Sequence, residues 1–123
     1  MKEIHAIVQP RRVQATKARL AEAGLYALNA FPCQGHGRGQ IDPAILRAAF
    51  DGQEEALAIL GQHPPLVPMR TVSLVVPDEM AESAVRAIVQ ANQTGNQGDG
   101  KIYVCDVQDA IRIRTGERGE IAL

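Results

Sequence analysis

Glycine and positive charge meet in the stretch Gln93-Thr94-Gly95-Asn96-Gln97-Gly98-Asp99-Gly100-Lys101-Ile102-Tyr103-Val104. Gly95, Gly98 and Gly100 let the backbone fold tightly and turn several N–H groups toward one point. Concave N–H arrays of this kind hold phosphate, and Lys101 adds a point charge at the rim. Shortly afterwards comes Ile111-Arg112-Ile113-Arg114-Thr115-Gly116-Glu117. Its alternation predicts a short strand over residues 111–114, with Arg112 and Arg114 on one face. Two adjacent guanidiniums repel unless an anion lies between them. Spacing alone leaves two readings open: a nucleotide phosphate site, or a glycine turn followed by a solvated edge strand.

Gly95, Gly100 and Lys101 have P-loop spacing, but Ile102 stands where a Ser or Thr should hold magnesium. A P-loop also runs from a strand into a helix, whose N-terminus faces the phosphates. Here the order is reversed, with an apolar helical pattern before the glycines and β-rich residues after them. A P-loop NTPase is excluded; a phosphate-binding backbone nest is not. Phosphate transfer also lacks a general base or magnesium constellation beside Lys101 and the arginines. His5, His36 and His63 are scattered without metal-ligand spacing. The chain is expected to be a regulator and not an enzyme.

A chain of 123 residues makes one domain, burying roughly 65% of its extended surface. With 46% hydrophobic and 3% aromatic residues, the core must be built from Val, Ile, Leu and Ala. A net charge of −1 argues against general nucleic-acid binding, which needs a basic face. No apolar run reaches the roughly 18 residues that suggest a membrane span, and the first residues carry no signal-peptide pattern. Cys33 and Cys105 are too few for a disulfide framework, which fits a reduced, cytoplasmic protein.

The elements that must position these residues follow from periodicity. Residues 2–9 read as a strand with Ile4, Ala6 and Val8 on one face, closed by Pro10. Val13, Lys17, Leu20 and Ala21 fall at helical spacing, and Gly24 is a natural stop. Residues 25–34 hold a weaker strand whose Pro32 suggests an edge or a bulge. Residues 71–76 alternate as a strand, and Pro77-Asp78 starts a helix bearing Met80, Ala84, Val85 and Ile88. This repeats the opening, with Pro10 matching Pro77 and Val13 matching Met80. Residues 102–107 follow as a strand. The order predicts an α+β fold, a ferredoxin-like split βαβ (βαββαβ) sandwich with both helices on one side. Closing the open sheet face against copies of the chain is the economical solution.

Between the second and third strands lies an excursion of some thirty residues, a length that in compact domains tends to be functional. It opens with Gly35-His36-Gly37-Arg38-Gly39-Gln40, a hinge-like run. Asp42-Pro43 could then cap a short helix with a stripe of Ile45, Leu46, Ala49 and Phe50. After Gly52, Ala56, Leu57 and Leu60 continue a similar stripe. One reading is a helical embellishment packed on its own domain. The favoured one is an arm docking on a partner through Ile45, Leu46, Phe50, Leu57 and Leu60.

The chain resembles the PII signal-transduction proteins along all but the tip of this excursion. The opening Met1-Lys2-Glu3-Ile4-His5-Ala6-Ile7-Val8-Gln9-Pro10 resembles that family's first strand, and Gly37-Arg38 the start of its T-loop. Thr94-Gly95-x-x-Gly98-Asp99-Gly100-Lys101-Ile102 is similar to its B-loop, and residues 111–117 to its C-terminal signature. Asn92-Gln93-Thr94-Gly95, the Val104-Cys105 pair and Arg114-Thr115-Gly116-Glu117-Arg118-Gly119 resemble the NifI branch, in particular its second subunit with a long T-loop. The resemblance implies a single PII-like domain over 1–123, with the T-loop at about 37–69, the B-loop at about 93–101 and a C-terminal segment at about 108–123. It also implies a trimer, alone or mixed with a paralogous PII subunit, holding ATP or ADP in clefts between subunits. Gly98, Asp99, Gly100 and Lys101 would hold the phosphates from one subunit, with Gly37 and Arg38 at the T-loop side. Arg112 and Arg114 would reach in from the neighbour, while Ile7 and Val75 line the adenine pocket. The implied target is the dinitrogenase component of nitrogenase; the alternative is an ordinary PII regulator of an ammonium channel or of nitrogen-assimilation enzymes.

Three departures bear on 2-oxoglutarate, magnesium and covalent control. Where the family has the Gln that helps ligate magnesium and contacts 2-oxoglutarate, this chain has Gly39, with Gln40 next. The lysine before the third strand, a partner of the 2-oxoglutarate carboxylate, is replaced by Met69. The T-loop tyrosine that is uridylylated in the family is missing, since the only tyrosines are Tyr26 and Tyr103.

Overall fold

Alternating apolar residues build the sheet, and two helices close one of its faces. The computed structural model describes residues 1–37, 43–61 and 66–123, apart from the side chains of Pro43 and Leu60. Arg38, Gly39, Gln40 and the side chain of Leu60 therefore lie outside the described residues, as does His63. Strand β1 (Lys2–Val8) pairs antiparallel with β3 (Val67–Val76) and with β4 (Lys101–Asp106). Strand β2 (Asn29–Gly35) adds to the far side of β3, giving the order β2-β3-β1-β4. This is the split βαβ arrangement that the sequence predicts. The β1–β3 register sets Ile4 opposite Leu74 and Ala6 opposite Val72, so one face carries the buried set of both central strands.

Helices α1 (Val13–Glu22) and α4 (Ala81–Asn92) cover that face, with Leu20, Ala84, Ala87 and Ile88 completing the core. Helix α1 stops where Gly24 adopts φ +79°, a conformation that costs any side chain. The Gly24 N–H then bonds the Ala21 carbonyl and the Leu25 N–H bonds that of Leu20, each at 2.9 Å, which satisfies the last carbonyls of the helix. Thr16 and Asn92 are buried between the two helices, where Asn92 Nδ2 donates to Thr16 Oγ1 at 2.9 Å. None of the helices among the described residues is long and apolar enough to cross a membrane.

Several expectations shift. The internal repeat holds, displaced by one position. Each helix is preceded by a 3₁₀ turn, Pro10–Arg12 or Asp78–Met80, so Gln9 matches Pro77 and Val13 matches Ala81. Strand β3 starts at Val67, four residues earlier than its alternation indicates, because its first residues pair with β2. The expected strand over 111–114 is a turn instead. Only Ile111 bridges, to Arg118, and the Arg112 carbonyl accepts from Gly116 N–H at 2.7 Å. Gly116 at φ +73° allows that reversal. Arg112 and Arg114 are thus not neighbours on a pleat.

The open sheet face is mixed and not purely apolar. It carries Glu3, His5 and Ile7 of β1, Thr71, Ser73 and Val75 of β3, Phe31 of β2 and Tyr103 of β4. Ser73 Oγ donates to Glu3 at 2.6 Å and Thr71 Oγ1 to Cys33 Sγ at 3.3 Å. Phe31 and Tyr103 remain about half exposed. Between β2 and β3, α2 (Pro43–Phe50) and α3 (Glu54–Gly61) form a helical pair, separated at Gly52 with φ +80°. Ala56 is buried, Ile45 and Leu46 are half-buried, and Phe50 is 88% exposed with Leu57 at 49%.

Candidate functional site

The glycine loop between α4 and β4 rests on the end of β1 at two points. At Gly100, φ is +113° and a Cβ would lie 2.0 Å from the Ile7 carbonyl oxygen, so only glycine fits against that strand. At Gly98, the backbone carbonyl accepts a 2.9 Å hydrogen bond from Gln9 Nε2. The turn itself is closed by Asp99. Its carboxylate accepts from the Thr94 hydroxyl at 2.5 Å, the Thr94 N–H at 2.7 Å and the Gly95 N–H at 3.1 Å. These bonds, the Thr94 hydroxyl foremost, hold its carboxyl below the usual carboxylate range, with the charge of Arg12 adding to the effect.

The side chain of Asp99 is therefore committed to shaping the loop, and what it can offer an anion is its backbone N–H. The N–H groups of Gln97 and Gly98 find no acceptor among the described residues, and that of Asp99 only closes the turn over Gln97-Gly98, without a close hydrogen bond to a described residue. Lys101 is exposed and makes no ion pair to a described residue. Unpaired N–H groups, glycine dihedrals and an ammonium without an ion pair to a described residue are the chemistry an anion needs. Beside it, between α4 and the ends of β1 and β4, runs an open cleft of about 350 Å³. Val8, Val85, Ile88, Val89 and Ile102 line it, and residues 99–101 form its polar rim. Asn92 lies in its wall with both amide hydrogens used, while its buried Oδ1 has no donor among the described residues.

The C-terminal segment carries the other cations. Arg112 is held in place, its guanidinium bound by the Glu117 carboxylate and by the Ile121 carbonyl at 2.6 Å. Arg118 pairs with Asp109 through Nε at 2.9 Å and Nη2 at 2.5 Å, and this contact keeps the Asp109 carboxyl below its ordinary range. Arg114 is exposed and makes no hydrogen bond to a described residue.

The predicted site residues fall into two groups at opposite ends of the sheet. Ile7, residues 98–101, Gly37 and Met69 lie toward the end where β1 and β2 finish. Val75 pairs with Glu3, at the other end of β1. The C-terminal segment leaves the sheet there too, where Val107 N–H bonds the Met1 carbonyl at 3.1 Å. Ile7 faces Thr71, so four residues separate it from Val75 along the strands, or about 13 Å. Within one chain Val75 therefore stands apart from Ile7 and the glycine loop. Met69 is half-buried on the open face opposite Cys33, while Arg70 points to the helix face beside Val8, as alternation requires. Sequence reasoning missed Gln9 and Arg12, because nothing in Gln9-Pro10-Arg11-Arg12 says that the chain folds back under a loop ninety positions away.

Residues 1–117 match the family model described as Nitrogen regulatory protein P-II. The chain is 39% identical over 128 residues to the nitrogen fixation nifHD region GlnB-like protein 2 of Methanobacterium ivanovii, spanning 100% of this chain and 99% of that protein. It is also 39% identical over 123 residues to the nitrogen regulatory protein P-II of Rhodospirillum rubrum, with 100% of both covered. The crystal structure of Arabidopsis thaliana PII bound to citrate is similar at a TM-score of 0.74 and 30% identity, over 99% of this chain and 91% of that one.

Proposed function

The chain belongs to the nitrogen regulatory protein P-II family, and from that premise we propose that it senses ATP or ADP between copies of itself and regulates nitrogenase by direct contact through its arm. The observation that carries this reading is the division of the cations. A ready anion nest with Lys101 stands at one end of the sheet, and the Arg112–Arg114 segment departs from the other. Head-to-tail association of copies brings one end of a chain against the opposite end of the next, and in a closed ring this completes every site. The ring is a trimer in this reading, formed by this chain alone or mixed with a paralogous subunit, and it works in the cytoplasm. Gly98, Asp99 through its N–H, Gly100 and Lys101 then hold the phosphates, Arg112 and Arg114 approach from the neighbour, and Ile7 and Val75 flank the base from two subunits.

The arm converts occupancy into output. A ligand shifts the arm only if it binds one arm state more tightly than the other. The helical pair α2–α3 presents Phe50 and Leu57 as its apolar contact, and the dinitrogenase component is the surface it meets. Identity does not separate this target from that of an ordinary PII regulator, since both relatives stand at 39%. The favouring observation is the arm itself, which carries two helices among its described residues and no tyrosine in its sequence. Capture assays against the dinitrogenase component and an ammonium channel separate the two targets. 2-Oxoglutarate, with magnesium, is a second effector of the reading, though Met69 supplies no cation for its carboxylate.

Calorimetric titration of ATP and ADP, each with and without 2-oxoglutarate, tests the proposal. Arg112→Ala should weaken ATP binding by about 1.5–3 kcal/mol, the worth of charge-assisted contacts. An unchanged affinity overturns it.

A further inference from the structure

We infer that Gln9 is a positioning residue of the anion site, aiming the Asp99 N–H by gripping the far side of the same peptide group. Gln9 lies just beyond β1, in the extended conformation that leads into the Pro10–Arg12 turn. Its amide is held at both ends. Oε1 accepts from Arg11 Nε at 2.8 Å, and Nε2 donates to the Gly98 carbonyl at 2.9 Å. Arg11 can only donate, so it fixes which end of the amide faces it and leaves the NH₂ for Gly98. A trans peptide points its C=O and its N–H in opposite directions. A Gly98 carbonyl tied to Gln9 therefore turns the Asp99 N–H away from β1, to the inside of the turn over Gln97-Gly98, where it makes no close hydrogen bond to a described residue.

Two neighbouring contacts make this orientation matter. Asp99 Oδ2 anchors the peptides before the turn, through Thr94 and Gly95. Gly100 sits hard against Ile7 and anchors the one after it. Between these fixed points the 98–99 peptide is free to flip, since Gly98 carries no Cβ to resist it and has φ +95°. The Gln9 bond is the restraint on that flip. A flipped peptide would present a carbonyl oxygen to the anion in place of a donor.

This rests on the proposed phosphate site, and the experiment keeps the two apart. Gln9→Met preserves length and removes the donor without adding charge; Gln9→Ala removes the side chain. Each is compared with the unaltered full chain by ATP titration and by the amide resonances of residues 94–101 in the nucleotide-free protein. The inference expects a Kd for ATP raised about 5- to 20-fold, the scale of one misdirected donor to a charged group. It also expects amide shifts centred on Asp99, with Thr94 and Gly95 unchanged. An unaltered ATP affinity, or a loss with the Asp99 amide unmoved, overturns it. If the unaltered chain binds no ATP, the nucleotide reading falls, and the amide shifts still decide whether Gln9 orients the loop.

Discussion

Asp99 and Arg112 each have a partner in their own segment that residue type does not announce. Both lie in stretches rich in phosphate-binding signals, yet each is engaged by its own segment. Asp99 ties Thr94 and Gly95, and Arg112 is bound by Glu117. The glycine loop was legible because its dihedral needs are written in residue type. The partner of each charged side chain was not, since it depends on which turn the glycines make. Asp99 also gives the loop a pH dependence. Its carboxyl lies below the ordinary value because the Thr94 hydroxyl and N–H stabilise the charged form. A lowered folded value contributes stability above the unfolded pKa of about 3.9 and loses it as pH falls through the folded one. The Thr94 and Gly95 amides should therefore hold their resonances from neutral pH to about 4 and move together in more acid solution. Movement of those amides between pH 5 and 6 would contradict the assignment.

Elements were read well where two periodicities and a stop signal agreed. β1, α1 and α4 follow from alternation, helical spacing and Gly24. The failure at residues 111–114 is equally physical: Ile-Arg-Ile-Arg alternates, but a strand needs a neighbour along its length, and beyond Ile111 no described residue pairs with it as a strand. The backbone turns onto itself instead. β3 was read short because Pro68 argues against a strand, whereas its first residues need pair only with the outer strand β2. The arm was read as two short helices broken at Gly52, and so it is. Phe50 is the side chain to test at this scale. It is 88% exposed, so Phe50→Asp should leave thermal stability within about 0.5 kcal/mol and leave ATP affinity alone. Capture of the dinitrogenase component should fall at least tenfold, about 1.4 kcal/mol, if this ring is a contact hot spot. Unchanged capture would place the contact elsewhere.

Across the whole molecule, the separation of the two cation groups makes a claim that no single-chain measurement can meet. On the proposed reading, Lys101→Ala and Arg112→Ala should each spoil every site in a ring of identical copies. In a mixed ring, the intact Lys101 of one copy can face the intact Arg112 of the next. Co-expression of the two variants should restore ATP binding at a fraction of the sites with near-native affinity, measured by titration of the purified mixture. Absence of recovery would mean that both groups act within one chain or at different sites. The outer strand β2 adds a property of another kind. Pro32, exposed on that margin, has no N–H to give an incoming strand. A growing ribbon of stacked sheets would stall at that position. A lone chain should therefore resist, on that flank, zipping into fibrils.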